Sequence, residues 1–170
     1  MKNNNIEWAK QPSHSHGVSD LTAWRDFSAF GNIKFHHEES ENDVENMLDW
    51  LHLHEQSIYS LTVEYFTEHY VELLDRSEFL DVFEEEHTYP TNVGDVTKAD
   101  MLEGNIFQLI QVSRFVLHQP ATQCIGIIFE CAWDEEHGLG LVIHNDQVVF
   151  CGGESEAYYN QDELKQLHHI

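Results

Sequence analysis

The sequence predicts an α+β domain, a helical N-terminal and middle half packed on a small antiparallel C-terminal sheet. Three observations predict it: apolar residues recur at helical spacing through the middle, apolar runs bounded by turn residues fill the last third, and Asn145-Asp146 sits between two such runs. One domain spanning residues 1–170 fits the length, because chains of roughly 100–200 residues bury a full core. Within it, residues 1–20 read as a loosely ordered arm, about 40–86 as helical and about 104–153 as mainly β.

The arm, MKNNNIEWAKQPSHSHGVSD, is rich in Asn, Ser and His without periodicity. His14 and His16 bracket a serine but have no ligand types beside them, so a polar arm is the better reading than a metal site. From Trp24 to Phe35, WRDFSAFGNIKF sets aromatics around a bend at Gly31 and predicts one or two short edge strands. Ser40 with Glu41 and Asp43 starts a first helix, whose Val44, Met47, Leu48 and Leu51 share a face that Trp50 widens. A second helix carries Ile58, Leu61, Tyr65, Phe66, Tyr70 and Leu73, with Glu64, Glu68, Glu72 and Asp75 at polar positions. A third apolar group, Phe79, Leu80, Val82 and Phe83, runs into Glu84, Glu85 and Glu86, acids that oppose the macrodipole at a helix C-terminus and stop it.

HTYPTNVGDV, residues 87–96, reads as a connector because of Pro90 and Gly94. Thr97 with Asp100 caps a short helix. IFQLIQVSRFVL then predicts a helical turn running into a strand. QCIGIIFECAW is the next strand, with Ile125, Ile127, Phe129, Cys131 and Trp133 on one face and Cys124 and Ile128 on the other, so both faces are at least partly covered. GLGLVIHN and QVVFCGG follow, joined by Asn145-Asp146, residue types that tolerate φ > 0.

Charge narrows the function classes. Against 31 Asp and Glu stand 8 Lys and Arg, a net −23 that repels nucleic-acid phosphates and anionic membranes and attracts a basic protein partner. Solubility alone is the competing explanation of the same number. The N-terminus lacks the apolar core of a signal peptide, and no run of about 18 apolar residues occurs, which predicts a cytoplasmic protein. Cys124, Cys131 and Cys151 are odd in number and lie in apolar runs, as reduced core thiols do. Cys151 beside Gly152-Gly153 suggests a nucleophile, but the acids that follow would raise a thiol pKa. No nucleophile elbow, Walker loop or dinucleotide fingerprint is present, and no cofactor is implied.

The chemistry-bearing cluster is Asp134-Glu135-Glu136-His137-Gly138, read as a five-residue connection between strands. Turn chemistry accounts for it: Gly138 takes the left-handed conformation, Asp134 accepts from the amide two residues on, and His137 leans on Trp133 or on a carboxylate. Asp134, Glu136 and His137 are also metal-ligand types, with Glu135 as a spare, and His36-His37 or His168-His169 would have to complete such a site. H-E-x-x-H and C-x-x-C signatures are absent.

The stretch GIIFECAWDEEHGLGLVIHNDQVVFCGGESEAY resembles the C-terminal part of an uncharacterised family of small bacterial domains, in which a G-x-x-F/Y-x-x-x-W-D-x-E-H-G-x-G-V hairpin follows a helical half. The match falls on Gly126, Phe129, Trp133, Asp134, Glu136, His137, Gly138, Gly140 and Gly152, and departs at Leu141, where the family often has valine. These domains are similar in style to immunity proteins encoded beside secreted bacterial toxins. The resemblance implies no catalytic residue.

The expected function is therefore an acidic cytoplasmic binding module, an immunity protein in kind, that neutralises a basic toxin, with Glu84, Glu85, Glu86, Asp134, Glu135 and Glu136 as contact candidates. Two alternatives stay open. One is a metal-dependent enzyme built on Asp134, Glu136 and His137; the other is an oligomeric subunit that assembles through its aromatic arm, with Trp8 and Trp24, or through a strand edge.

Overall fold

The computed structural model describes residues 9–11, 14–19, 21, 23–24, 33–37, 41–76, 87–91, 93–103, 105–118 and 122–167. Glu84, Glu85 and Glu86, the apolar group before them, His168 and His169 lie outside the described residues.

Where two helices were expected, one helix, α1 (Glu41–Arg76), runs unbroken. No Gly or Pro interrupts it, and Met47, Leu48, Leu51, Ile58, Thr62, Phe66, Tyr70 and Leu73 form a single buried stripe at spacings of three, four and seven. The polar stretch that separates the two apolar groups, HLHEQS, is accommodated within the helix. His54 stacks on Trp50 and donates from Nδ1 to its carbonyl at 2.8 Å, while the Glu55 carboxylate accepts the Ala23 N–H at 2.5 Å. Buried Thr62 satisfies its hydroxyl on the Ile58 carbonyl.

The sheet has seven strands, ordered β1 (Ala9–Gln11), β2 (His14–Ser19), β3 (Ile33–His37), β6 (Ile110–Leu117), β7 (Cys124–Cys131), β8 (Asp134–His144) and β9 (Gln147–Gly152). Segments read as an arm and as weak edge strands thus extend the sheet by three strands. Every neighbouring pair is antiparallel except β3 and β6, which are parallel. That junction follows from connectivity: the chain leaves β3, travels through α1 and re-enters at β6, a crossover that returns the chain in its original direction.

Residues 88–97 are a hairpin rather than a plain connector: β4 (Thr88–Thr91) pairs with β5 (Gly94–Thr97). The predicted cap is present beyond it. Asp100 accepts from both the N–H and the hydroxyl of Thr97 at 2.7 Å, and the Asp100 N–H donates back to the Thr97 Oγ1 at 3.2 Å, opening α2 (Lys98–Glu103). α3 (Ile106–Leu109) then runs directly into β6, as expected.

The two faces of the sheet have different covers. On one, Phe115, Ile125, Ile127, Phe129, Leu141 and Ile143 pack in one cluster with the α1 stripe, and Phe66 meets Phe129 edge to face at 5.0 Å. On the other, Val116 and Ile128 pack with Ala157 of a 3₁₀ helix (Glu154–Tyr158), and Cys124 and Val142 pack with Leu164 of α4 (Gln161–Gln166). Helical segments therefore lie on both sides of the sheet. No helix among the described residues is long and apolar enough to cross a membrane.

Candidate functional site

β7 and β8 are joined by two residues, Ala132 and Trp133, because Cys131 already pairs with Asp134. The expected five-residue loop is instead a short turn followed by a large bulge. Phe129 opposes Leu139, so the single residue Glu130 faces the stretch 135–138 on β8. Trp133, buried against Tyr70 with ring centres 5.7 Å apart, anchors the turn in the core.

Asp134 organises the bulge. Its Oδ1 accepts the His137 main-chain N–H at 3.0 Å and lies 3.1 Å from the same residue's Nδ1. The accepted amide is three residues on, not two, because the bulge is wider than a simple Asx turn. The imidazole does lean on a carboxylate, one of the two expected arrangements, and its side chain remains 69% exposed. Gly138 closes the bulge at φ +61, and a Cβ there would stand 2.6 Å from the Phe129 carbonyl oxygen. Two constraints thus exclude a side chain at this position.

Other glycines of the motif serve a second piece of the site. A Cβ on Gly126 would fall 1.8 Å from the Ala157 carbonyl oxygen, and one on Gly140 would fall 2.4 Å from that of Gly153. Bare backbone on β7 and β8 therefore lets the 3₁₀ helix lie directly on the sheet. Arg114 Nη1 donates to the Tyr158 hydroxyl at 2.9 Å and fastens the far end.

Between bulge and 3₁₀ helix lies an open cleft of about 720 Å³, walled by Asp134, Glu136 and His137 on one side and by Glu154, Glu156 and Tyr158 on the other. Two of the acids predicted as contacts, Asp134 and Glu136, are brought together there; Glu135 is in the bulge backbone. Glu154 and Glu156 were missed, although the acids after Gly152-Gly153 were visible in the sequence. From Phe115 to Leu164 the chain has no Lys or Arg, against Glu130, Asp134, Glu135, Glu136, Asp146, Glu154, Glu156, Asp162 and Glu163. The acids of the cleft thus come from a one-sign stretch of chain, and Arg114 of β6 is the cation that reaches its Tyr158 end.

Of the partners considered for a metal site, His168-His169 lies outside the described residues and His36-His37 sits apart from the bulge. His37 aligns through Leu117 and Ile125 with Ile143, whereas Asp134 aligns with Cys131 and Ile110, at the other end of the strands and three strands away. Among the described residues no three His, Cys, Asp or Glu side chains converge as a ligand set. Burial pushes the Cys124 and Cys131 thiols up to about 12, which leaves them protonated and unsuited to nucleophilic attack.

The family model Domain of unknown function (DUF6985) matches residues 15–158. The chain belongs to this family. The DUF6985 match begins in β2 and ends at Tyr158, so it takes in the α1 crossover, the bulge and the 3₁₀ helix that together frame the cleft, and it stops before α4. Neither a curated protein nor a solved structure matches the chain.

Proposed function

We propose that this DUF6985 domain is a binding module that holds a cationic protein at the Asp134–Tyr158 cleft, in the manner of an immunity protein that occupies a basic toxin. One observation carries the reading: Asp134, Glu136, Glu154 and Glu156 converge on one open cleft within a stretch of chain that has no Lys or Arg. Carboxylates gathered along one cleft repel one another, with Arg114 present only at its Tyr158 end, and a cation from a partner relieves that repulsion while the overall −23 speeds its approach. The glycine-seated 3₁₀ helix fixes half of these acids on a rigid surface, so the ordering cost of binding is reduced. The resemblance to toxin-neighbouring domains supports the immunity role in particular, and a cytoplasmic location would follow from it.

Co-expression with the products of the adjacent genes tests the proposal. The expected result is a stable complex with a basic protein, dissociating as salt rises. A complex that forms equally well after Glu136, Glu154 and Glu156 are all changed to Gln would contradict it.

A further inference from the structure

β9 ends the seven-stranded sheet, and among the described residues no strand pairs along its outer side. Its sequence, QVVFCG, has no Lys, no Pro and no charge, the devices that commonly blunt an edge strand. One protective feature is present. Val142 pairs with Phe150 and Ile143 with Val148, which leaves Val149 as a bulge.

The geometry of the turn sets which groups face outward. Asn145 and Asp146, at φ 49 and 57, form a two-residue turn, so His144 and Gln147 are the hydrogen-bonded pair beside it. One residue on, the Val148 N–H and C=O point away from β8. The strand is held from both faces, by Val148 packing on the main core and by Val149 and Phe150 packing with Leu164 and Tyr159. Acids flank this strand in the chain: exposed Asp146 before it, and Glu154 and Glu156 after it, with the Glu156 carboxyl carbon 3.4 Å from where a Cβ on Gly152 would stand.

We propose that the outer edge of β9 receives an extended segment of a partner protein as an added strand, with Lys or Arg flanks reaching Asp146 at one end and Glu154 and Glu156 at the other. The inference rests on the cationic-partner reading above and specifies how that partner is held. A second copy of this chain is the weaker occupant. Antiparallel pairing of two β9 strands would set Asp146 of one against Glu154 of the other, between molecules of net −23, and would oppose two bulges.

The test uses the full chain and three synthetic peptides: alternating Thr and Val flanked by lysines, the same core flanked by glutamates, and the lysine peptide with alternate amides N-methylated. Amide exchange at Val148 is followed by NMR, and affinity by titration. The lysine peptide should slow exchange at Val148 by about tenfold or more, and N-methylation or Val148→Pro should weaken its binding by about tenfold. Proline there removes the outward-facing N–H together with the Val148 side chain that packs on the core, so the N-methylated peptide repeats the test on the unaltered chain. Lysine-peptide binding that is indifferent to both changes overturns strand addition while leaving the acidic module standing. Equal binding of the glutamate peptide overturns both. No protection of Val148 by any peptide, or a dimer that Val148→Pro dissolves, overturns the added strand.

Discussion

Phe66 of α1 and Phe129 of β7 meet edge to face, ring centres 5.0 Å apart at 89°, both fully buried. This contact joins the one long helix to the centre of the sheet, and Phe129 is also the residue whose carbonyl forbids a side chain at Gly138. Core packing and the shape of the bulge are therefore coupled through one residue. Phe66→Ala should destabilise the fold by about 3–5 kcal/mol, read from urea unfolding, as the loss of a buried ring and the cavity left behind require. A cost below about 1 kcal/mol would mean that the helix does not pack there.

Gly126→Ala places a methyl group where the Ala157 carbonyl stands. The 3₁₀ helix must lift, and a loss of about 1–3 kcal/mol or more is expected, with faster proteolysis after residue 153. Gly138→Ala should cost about 1–3 kcal/mol through its positive φ and the Phe129 clash. Circular dichroism melts of both variants check these values.

The Cys124 and Cys131 thiols, raised from 9.0 to about 12 by burial, stay protonated in the fold. Neither should react with a thiol reagent at about pH 8 until the protein is denatured. The unfolded chain ionises its thiols at lower pH than the folded one. Stability from these groups is therefore full below pH 9.0 and is lost as pH rises towards about 12, with Tyr70, also raised to about 12, adding to the loss.

His144 behaves in the opposite sense. Burial, then Lys165, lower its pKa below 6.5, so its contribution is full above 6.5 and falls as pH drops through that value towards the folded one. Native-state exchange at α4 should accelerate over this window, because Gln161 of α4 approaches the His144 ring at 3.4 Å. His144→Gln should flatten the response.

How much of this was legible follows from where the information sits. β7, β8 and β9 were readable because Ile125, Ile127 and Phe129 alternate with residues of the other face and Asn145-Asp146 marks the turn, all local signals. The continuity of α1 was not, since Glu55 is satisfied by Ala23, remote in sequence. Strand β2 gains its place by pairing with β3, and its HSHGVS carries no apolar alternation. The acid-histidine half of the cleft was visible as a cluster. Its other half depends on a 3₁₀ helix seated against Gly126 and Gly140; a glycine inside a strand, as Gly140 is, signals that another backbone approaches, but the spacing does not say which segment arrives.

The most direct measurement compares two triple variants of equal charge change by titration with a lysine-rich peptide: Glu136, Glu154 and Glu156 to Gln in the cleft, and exposed Glu64, Glu68 and Glu72 to Gln on α1. The cleft variant should lose about tenfold or more in affinity, and the α1 variant should change by less than about threefold. Equal losses would mean that net charge alone attracts the peptide, and the cleft would have no part in binding.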